Sequence, residues 1–213
     1  MLDTPLPRLH ATTPEPLPFA PSLLIRAFVL EREHGNLLVY AAPTVRAAAP
    51  AIGALGGVTR QYLNHWHEAG FGGDGAGAPV VIHAEDRAAA EDSLRIDETF
   101  SDRALLDDDF ELIPTPGHTR GATAFLWDSG EHRLLFTGDS VYLRNGDWVA
   151  AVLEGSSDRT AYIESLVLLR ELEFDALVPW AAAGEPYYTL TDPADARRRI
   201  DAIVERLRRG EDH

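Results

Sequence analysis

From Ser22 onward the chain alternates short apolar runs with polar, glycine-bearing breaks. Residues 23–30 and 36–41 read as two strands around a turn at His34-Gly35-Asn36. Thr44 stands where it would cap an alanine-rich helix that Pro50 interrupts and Gly56-Gly57 ends. Residues 58–63 read as a strand running into Asn64-His65-Trp66-His67, and a glycine-rich loop follows from Gly70 to Gly77. Residues 79–83 suggest another strand and 85–92 a short helix. Further strands are expected at 110–114, 123–127, 133–137, 148–152 and 176–178. Asp158 would cap a helix reaching Leu172, with Ile163, Leu166 and Val167 turned inward. Asp192-Pro193 opens a C-terminal helix whose Ile200, Ile203, Val204 and Leu207 recur at i, i+3, i+4 and i+7. Many strands with interspersed helices indicate a layered α/β or α+β domain; periodicity goes no further.

Composition sharpens this picture at a few points. Six of the fourteen prolines lie at Pro5, Pro7, Pro14, Pro16, Pro18 and Pro21. Residues 1–21 are therefore expected as an extended arm, packed or loose, ahead of a single domain at 22–213. There is no cysteine, which excludes disulfides, thiolate-bound zinc and a cysteine nucleophile. There is no lysine either, since all 19 basic residues are arginine, so Schiff-base chemistry is excluded. A formal net charge of −15 repels phosphate backbones and argues against nucleic acid as a partner. The one local exception is Arg197, Arg198, Arg199, Arg206, Arg208 and Arg209, which reads as the solvated end of the last helix. No apolar run reaches the about 18 residues of a membrane span. The start lacks a basic-then-apolar leader, so a cytoplasmic location is expected.

Three segments carry candidate chemistry. In extended backbone, residues two apart project from one face, so His65 and His67 would converge on one point, as half of a tetrahedral site. Thr115-Pro116-Gly117-His118-Thr119-Arg120-Gly121 follows a strand and sets one histidine between two glycines, with Thr119 as a supporting hydrogen-bond partner. Leu135-Phe136-Thr137-Gly138-Asp139-Ser140 delivers an aspartate from an apolar strand, although Asp139 alone also suits a turn or a cap.

In this order, NHWHEAG, PGHTRGA and FTGDS resemble the metallo-β-lactamase superfamily, whose chains show HxHxDH, a PGHT-type loop, a TGD turn and a late histidine. The resemblance extends over residues 22 to 209 and implies an αββα four-layer sandwich. It also implies metal ligation by His65, His67, His118 and Asp139. The departures are equally specific. The family aspartate falls on Ala69, the next histidine on Gly70, and the late histidine on Pro179-Trp180-Ala181. One metal position thus keeps three ligands and the other retains only the shared Asp139. Asp74 and Glu185, in glycine-bearing loops, are the candidates to substitute; Glu68 would point away if its segment is extended. His83 reads as a packed or hydrogen-bonded strand residue, and His10, His34, His132 and His213 as surface residues. Asp107-Asp108-Asp109 reads as a solvated turn.

Three functions follow as expectations. The first is a hydrolase-like protein with one zinc per chain, acting on an ester, thioester or amide-type small molecule through a metal-bound hydroxide. Ala69 weakens it, because the family aspartate there positions the nucleophile. The second is a degenerate, non-catalytic binding protein on the same fold. The third is a mononuclear iron enzyme like the sulfur dioxygenases of the superfamily, with His65, His118 and Asp139 as a 2-His-1-carboxylate triad. The sequence names no substrate and leaves a homo-oligomer open.

Overall fold

The computed structural model describes residues 2–72 and 76–212. The chain divides into two compact units, Met1–Ser101 and Asp102–His213.

The first unit runs β1 (Leu2–Leu6), β2 (Leu9–Thr12), β3 (Glu15–Leu17), β4 (Ala20–Ile25), β5 (Phe28–Leu30), β6 (Leu37–Val39), α1 (Val45–Ala54), β7 (Arg60–Tyr62), β8 (Val80–His83), α2 (Arg87–Ala90) and β9 (Glu98–Phe100). A seven-stranded sheet has the order β1-β2-β5-β6-β7-β8-β9. The proline-rich start is extended, as expected: β1 and β2 pair antiparallel, β2 pairs with β5, and β3 and β4 form a hairpin. The apolar run at 23–30 is two strands rather than one, broken at Arg26 and Ala27. From β6 to β9 the sheet is parallel. Leu37, Leu38 and Val39 are all buried, as a parallel strand covered on both faces requires.

Helix α1 lays Val45, Ala48 and Ile52 against Ala27, Val29 and Leu38. Each fully buried Val, Leu or Ile stabilises by about 1.5–3 kcal/mol. Contrary to the sequence expectation, the helix passes through Pro50. Pro50 lies on the exposed side, where water can satisfy the carbonyl that proline leaves without its helical donor. The helix stops where expected. Gly56, at φ +98°, lets its N–H reach Gly53 O and that of Gly57 reach Ile52 O, a Schellman closure. Thr44 precedes α1 but does not cap it; its hydroxyl donates to Thr13 O instead.

The second unit runs β10 (Ala104–Leu106), β11 (Phe110–Pro114), β12 (Thr123–Asp128), β13 (Arg133–Phe136), β14 (Tyr142–Arg144), β15 (Asp147–Val149), α3 (Arg159–Arg170), β16 (Ala176–Val178), β17 (Ala181–Ala183), β18 (Thr189–Leu190) and α4 (Pro193–Arg208). Its six-stranded sheet has the order β10-β11-β12-β13-β16-β18, and β14 pairs with both β15 and β17. Asp107 and Asp108 turn between β10 and β11 with positive φ, exposed as predicted.

Helix α4 matches its forecast: Asp192 caps it, and Ile200, Ile203, Val204 and Leu207 are buried. Of its arginines, Arg197, Arg198, Arg208 and Arg209 are exposed, while Arg199 and Arg206 donate to the carbonyls of Gly146 and Trp148. Helix α3 is capped by Asp158, which accepts from the N–H of Thr160 and Ala161. Its inward face departs from prediction. Tyr162, Ser165, Leu166 and Leu169 are buried, Ile163 is half-buried and Val167 is exposed. The polar pair faces inward because its hydroxyls bond the loops beneath it.

Candidate metal centre

In the first unit, β7 delivers the HxH segment. His65 is extended (φ −157°, ψ 164°), but the chain turns at once into a 3₁₀ helix, Trp66–Phe71. The expected extended spacing therefore stops one residue short. The turn is fixed by Glu68 N–H donating to His65 O and Trp66 N–H donating to Asp86 Oδ2. The two imidazoles nonetheless stand close, with ring centroids 5.1 Å apart and planes at 80°. His65 is buried and His67 half-buried.

The turn also sends Glu68 inward, where an extended segment would not. Its carboxylate accepts from Ala41 N–H at 3.0 Å and Asn64 N–H at 2.9 Å, and Oε1 lies 3.3 Å from His65 Nδ1. Burial pushes the Glu68 carboxyl above its usual range, while His65 and the two backbone donors pull it back. His65 Nδ1 is also 3.0 Å from Asn64 Oδ1. Both neighbours are oxygen acceptors, which favours a proton on Nδ1 and leaves the Nε2 lone pair for coordination.

Ala69 is 2% exposed and packs with Leu63, Val80, Ile82, Ala90 and Ile96. A carboxylate in that apolar cluster would be desolvated at a cost of several kcal/mol. Gly70 is exposed. Asp74 lies outside the described residues, as does His213. Glu185 is exposed beside Gly184.

In the second unit, His118 is fully buried. Its loop is held by Thr115 N–H to Ala122 O at 2.7 Å and Gly117 N–H to Thr119 O at 2.9 Å. Gly117 adopts φ +145°, and a Cβ there would lie 2.3 Å from Tyr162 Cα, so only glycine fits. His118 Nδ1 donates to Ala151 O at 2.7 Å, which fixes the tautomer with Nε2 free of its proton. That Nε2 is 3.7 Å from Asp139 Oδ2. Asp139 comes from the turn after β13, where Gly138 has φ +56°.

Behind both residues stands Tyr162. Its buried hydroxyl lies 2.8 Å from Asp139 O and 2.9 Å from Ser140 O, and accepts from Ala151 N–H at 3.1 Å. Burial pushes its pKa well above the usual tyrosine value. Ser165 donates to Pro116 O and Ser157 to His118 O. Sequence reasoning turned Glu68 outward, on the premise of an extended segment, and missed Ala151, Ser157, Tyr162 and Ser165. The only available signal was a tyrosine and a serine three apart on one face of α3. Thr119 is buried, and its carbonyl closes the loop by accepting from Gly117 N–H. Trp180 and Ala181, where the family's late histidine would fall, are each 3% exposed.

The other histidines divide. His83 is buried between Ser101 O and Glu85 N–H, as read from sequence, and His34 is exposed. His10 and His132 are half-buried rather than on the surface, each 3.0 Å from a carboxylate, Glu31 and Asp175 respectively.

Of the four predicted ligands, His65 and His67 stand together in the first unit, and His118 and Asp139 stand together in the second. Among the described residues no helix is long and apolar enough to cross a membrane.

The fold is shared with solved structures at low identity. A metallo-beta-lactamase from Pontibacter korlensis matches with TM-score 0.72 and 17% identity, covering 98% of each chain. The metallo-beta-lactamase FIM-1 from Pseudomonas aeruginosa, in its mono-zinc form, matches with TM-score 0.73 and 14% identity over 99% of this chain and 95% of that one. A metallo-beta-lactamase family protein from Thermus thermophilus matches with TM-score 0.68 and 19% identity over 96% of this chain and 80% of that one. No curated protein matches. These likenesses carry the mixed α/β, metallo-β-lactamase fold class expected from the motifs. The sequence profile of the metallo-beta-lactamase superfamily matches residues 34–181, more than half of the chain, and the protein belongs to that superfamily.

Proposed function

We propose that the protein is a metal-dependent hydrolase-like member of the superfamily that holds a single divalent ion, zinc in preference to iron, through His65, His67 and His118, with Asp139 as fourth ligand or water partner. The observation that carries this reading is the state of the imidazoles. His118 Nδ1 is committed to Ala151 O and His65 Nδ1 faces Asn64 and Glu68, so each ring is preset to offer Nε2. The Asp139 spacing also fits. Two donors about 2.0–2.1 Å from a tetrahedral ion lie about 3.3 Å apart, near the 3.7 Å between His118 Nε2 and Asp139 Oδ2.

The superfamily's metal supplies Lewis acidity toward water and a carbonyl group. The chain's residues do the rest. The three histidines contribute no charge, so the ion keeps its full polarising power. Asp139 can accept a proton from water or orient it by a hydrogen bond. Ala69 offers no second carboxylate for that task. We therefore assign slow turnover on an activated ester, thioester or amide of a small molecule.

The test is hydrolysis of a panel of such substrates by zinc-loaded wild type and His118→Ala. Turnover that needs both zinc and His118 supports the reading. Bound zinc without turnover on any substrate would instead favour a non-catalytic binding protein, and oxygen uptake with a persulfide by iron-loaded protein would favour the dioxygenase.

A further inference from the structure

Glu68 is a carboxylate with no exposed surface, held behind His65. Its two oxygens meet three donors: Ala41 N–H, Asn64 N–H and the Nδ1 side of His65. Ala41 follows β6 and Asn64 follows β7, so one side chain ties the ends of two adjacent parallel strands to a histidine. A carboxylate is acceptor-only, which suits a pocket that presents nothing to it but donors. The next residue, Ala69, lies in the apolar cluster and leaves no carboxylate where the family places one.

We infer that Glu68 is a positioning residue for metal capture, holding His65 with its proton on Nδ1 and lending the imidazole the negative charge that Ala69 cannot supply. The inference rests on the one-metal reading above. A carboxylate behind a ligand histidine orients the ring and raises its basicity, and removing such a partner typically weakens metal binding about 10–100-fold. Asn64 Oδ1 shares Nδ1 at 3.0 Å but carries no charge. Glu68 therefore sets donor strength, while both set orientation.

The experiment compares zinc affinity, by competition with a chromophoric chelator, in wild type, Glu68→Gln and Ile82→Val. The glutamine variant keeps shape and removes charge, and is expected to bind zinc about 10–100-fold more weakly. Ile82→Val thins the same apolar cluster and is expected to lower the melting temperature without altering affinity. A folded Glu68→Gln with wild-type affinity overturns the inference while leaving the one-metal reading intact. Wild type that binds no zinc overturns that reading instead. A readout without metal decides the inference even then, and even if Glu68→Gln does not fold. ¹⁵N spectra of wild type should show His65 protonated on Nδ1; protonation on Nε2 overturns the inference.

Discussion

Removing one hydroxyl, Tyr162→Phe, should loosen the loops that carry His118 and Asp139 more than any change of comparable size. The hydroxyl reaches the carbonyls of Asp139 and Ser140 and accepts from Ala151 N–H. Phenylalanine fills the same space and leaves those groups buried without it. A buried polar group deprived of its partner costs about 1–3 kcal/mol. Ala151 N–H keeps a weaker contact with Asp139 O at 3.3 Å, so part of the loss is recovered. A net destabilisation of about 2 kcal/mol is expected, equivalent to a melting temperature lower by about 4–8 °C at this chain length. The change should also weaken metal binding, because Ala151 O carries His118 Nδ1.

The pH dependence gives a second handle on the same hydroxyl. The folded pKa of Tyr162 is raised above its unfolded value. Its contribution to stability is therefore complete below about pH 10 and is lost as the pH rises through the folded pKa. Urea denaturation of both proteins between about pH 8 and 11 reads this directly. Wild type should lose stability more steeply than Tyr162→Phe above about pH 10. Equal stability at the lower end of that range, with parallel alkaline limbs and unchanged zinc affinity, would refute the assignment of Tyr162 as the anchor of Asp139 and His118.

Other changes should act through equally specific contacts. Gly117→Ala meets Tyr162 Cα at 2.3 Å at a φ of +145°; circular dichroism melts should show a loss of several kcal/mol or no folded protein, on the scale of combined strain and overpacking. Chelation should lower the melting temperature yet leave a cooperative transition, because the apolar clusters are built from residues other than the ligand histidines; about 2.7 kcal/mol is lost if free metal was at about 100 times its dissociation constant. Calorimetry that shows outright unfolding on chelation would contradict this. His118→Ala should abolish metal binding rather than halve it, as titration with zinc would show.

Much of this was legible where side-chain period and burial agree. The face of α4 is one example, since Ile200, Ile203, Val204 and Leu207 have no polar competitor at their positions. The motif histidines stood out because HxH, PGHT and TGD combine residue type with a strand-end position. Their geometry was less legible. Local hydrogen bonds from Glu68 N–H and Trp66 N–H curl the chain after His65, and nothing in the period of the segment signals a 3₁₀ turn. Tyr162 was hidden for the opposite reason. On hydropathy Ile163 and Val167 are better core residues, but the loops beneath α3 need hydroxyl partners, so the polar face turned inward. Pro50 marks the limit of a breaker rule, since an exposed helix position tolerates it.

The central claim, one metal per chain held by three histidines, is tested most directly by elemental analysis of protein loaded with excess zinc and freed of unbound metal. The second position's family ligands are replaced by Ala69, which is buried among aliphatic side chains, by Gly70, and by the buried Trp180 and Ala181. Of the family's ligands for that position, Asp139 alone would be left to hold a second dication against repulsion from the first. A ratio near one zinc per chain, falling to near zero in His118→Ala, is predicted. Two zinc ions per wild-type chain, or none, would contradict it.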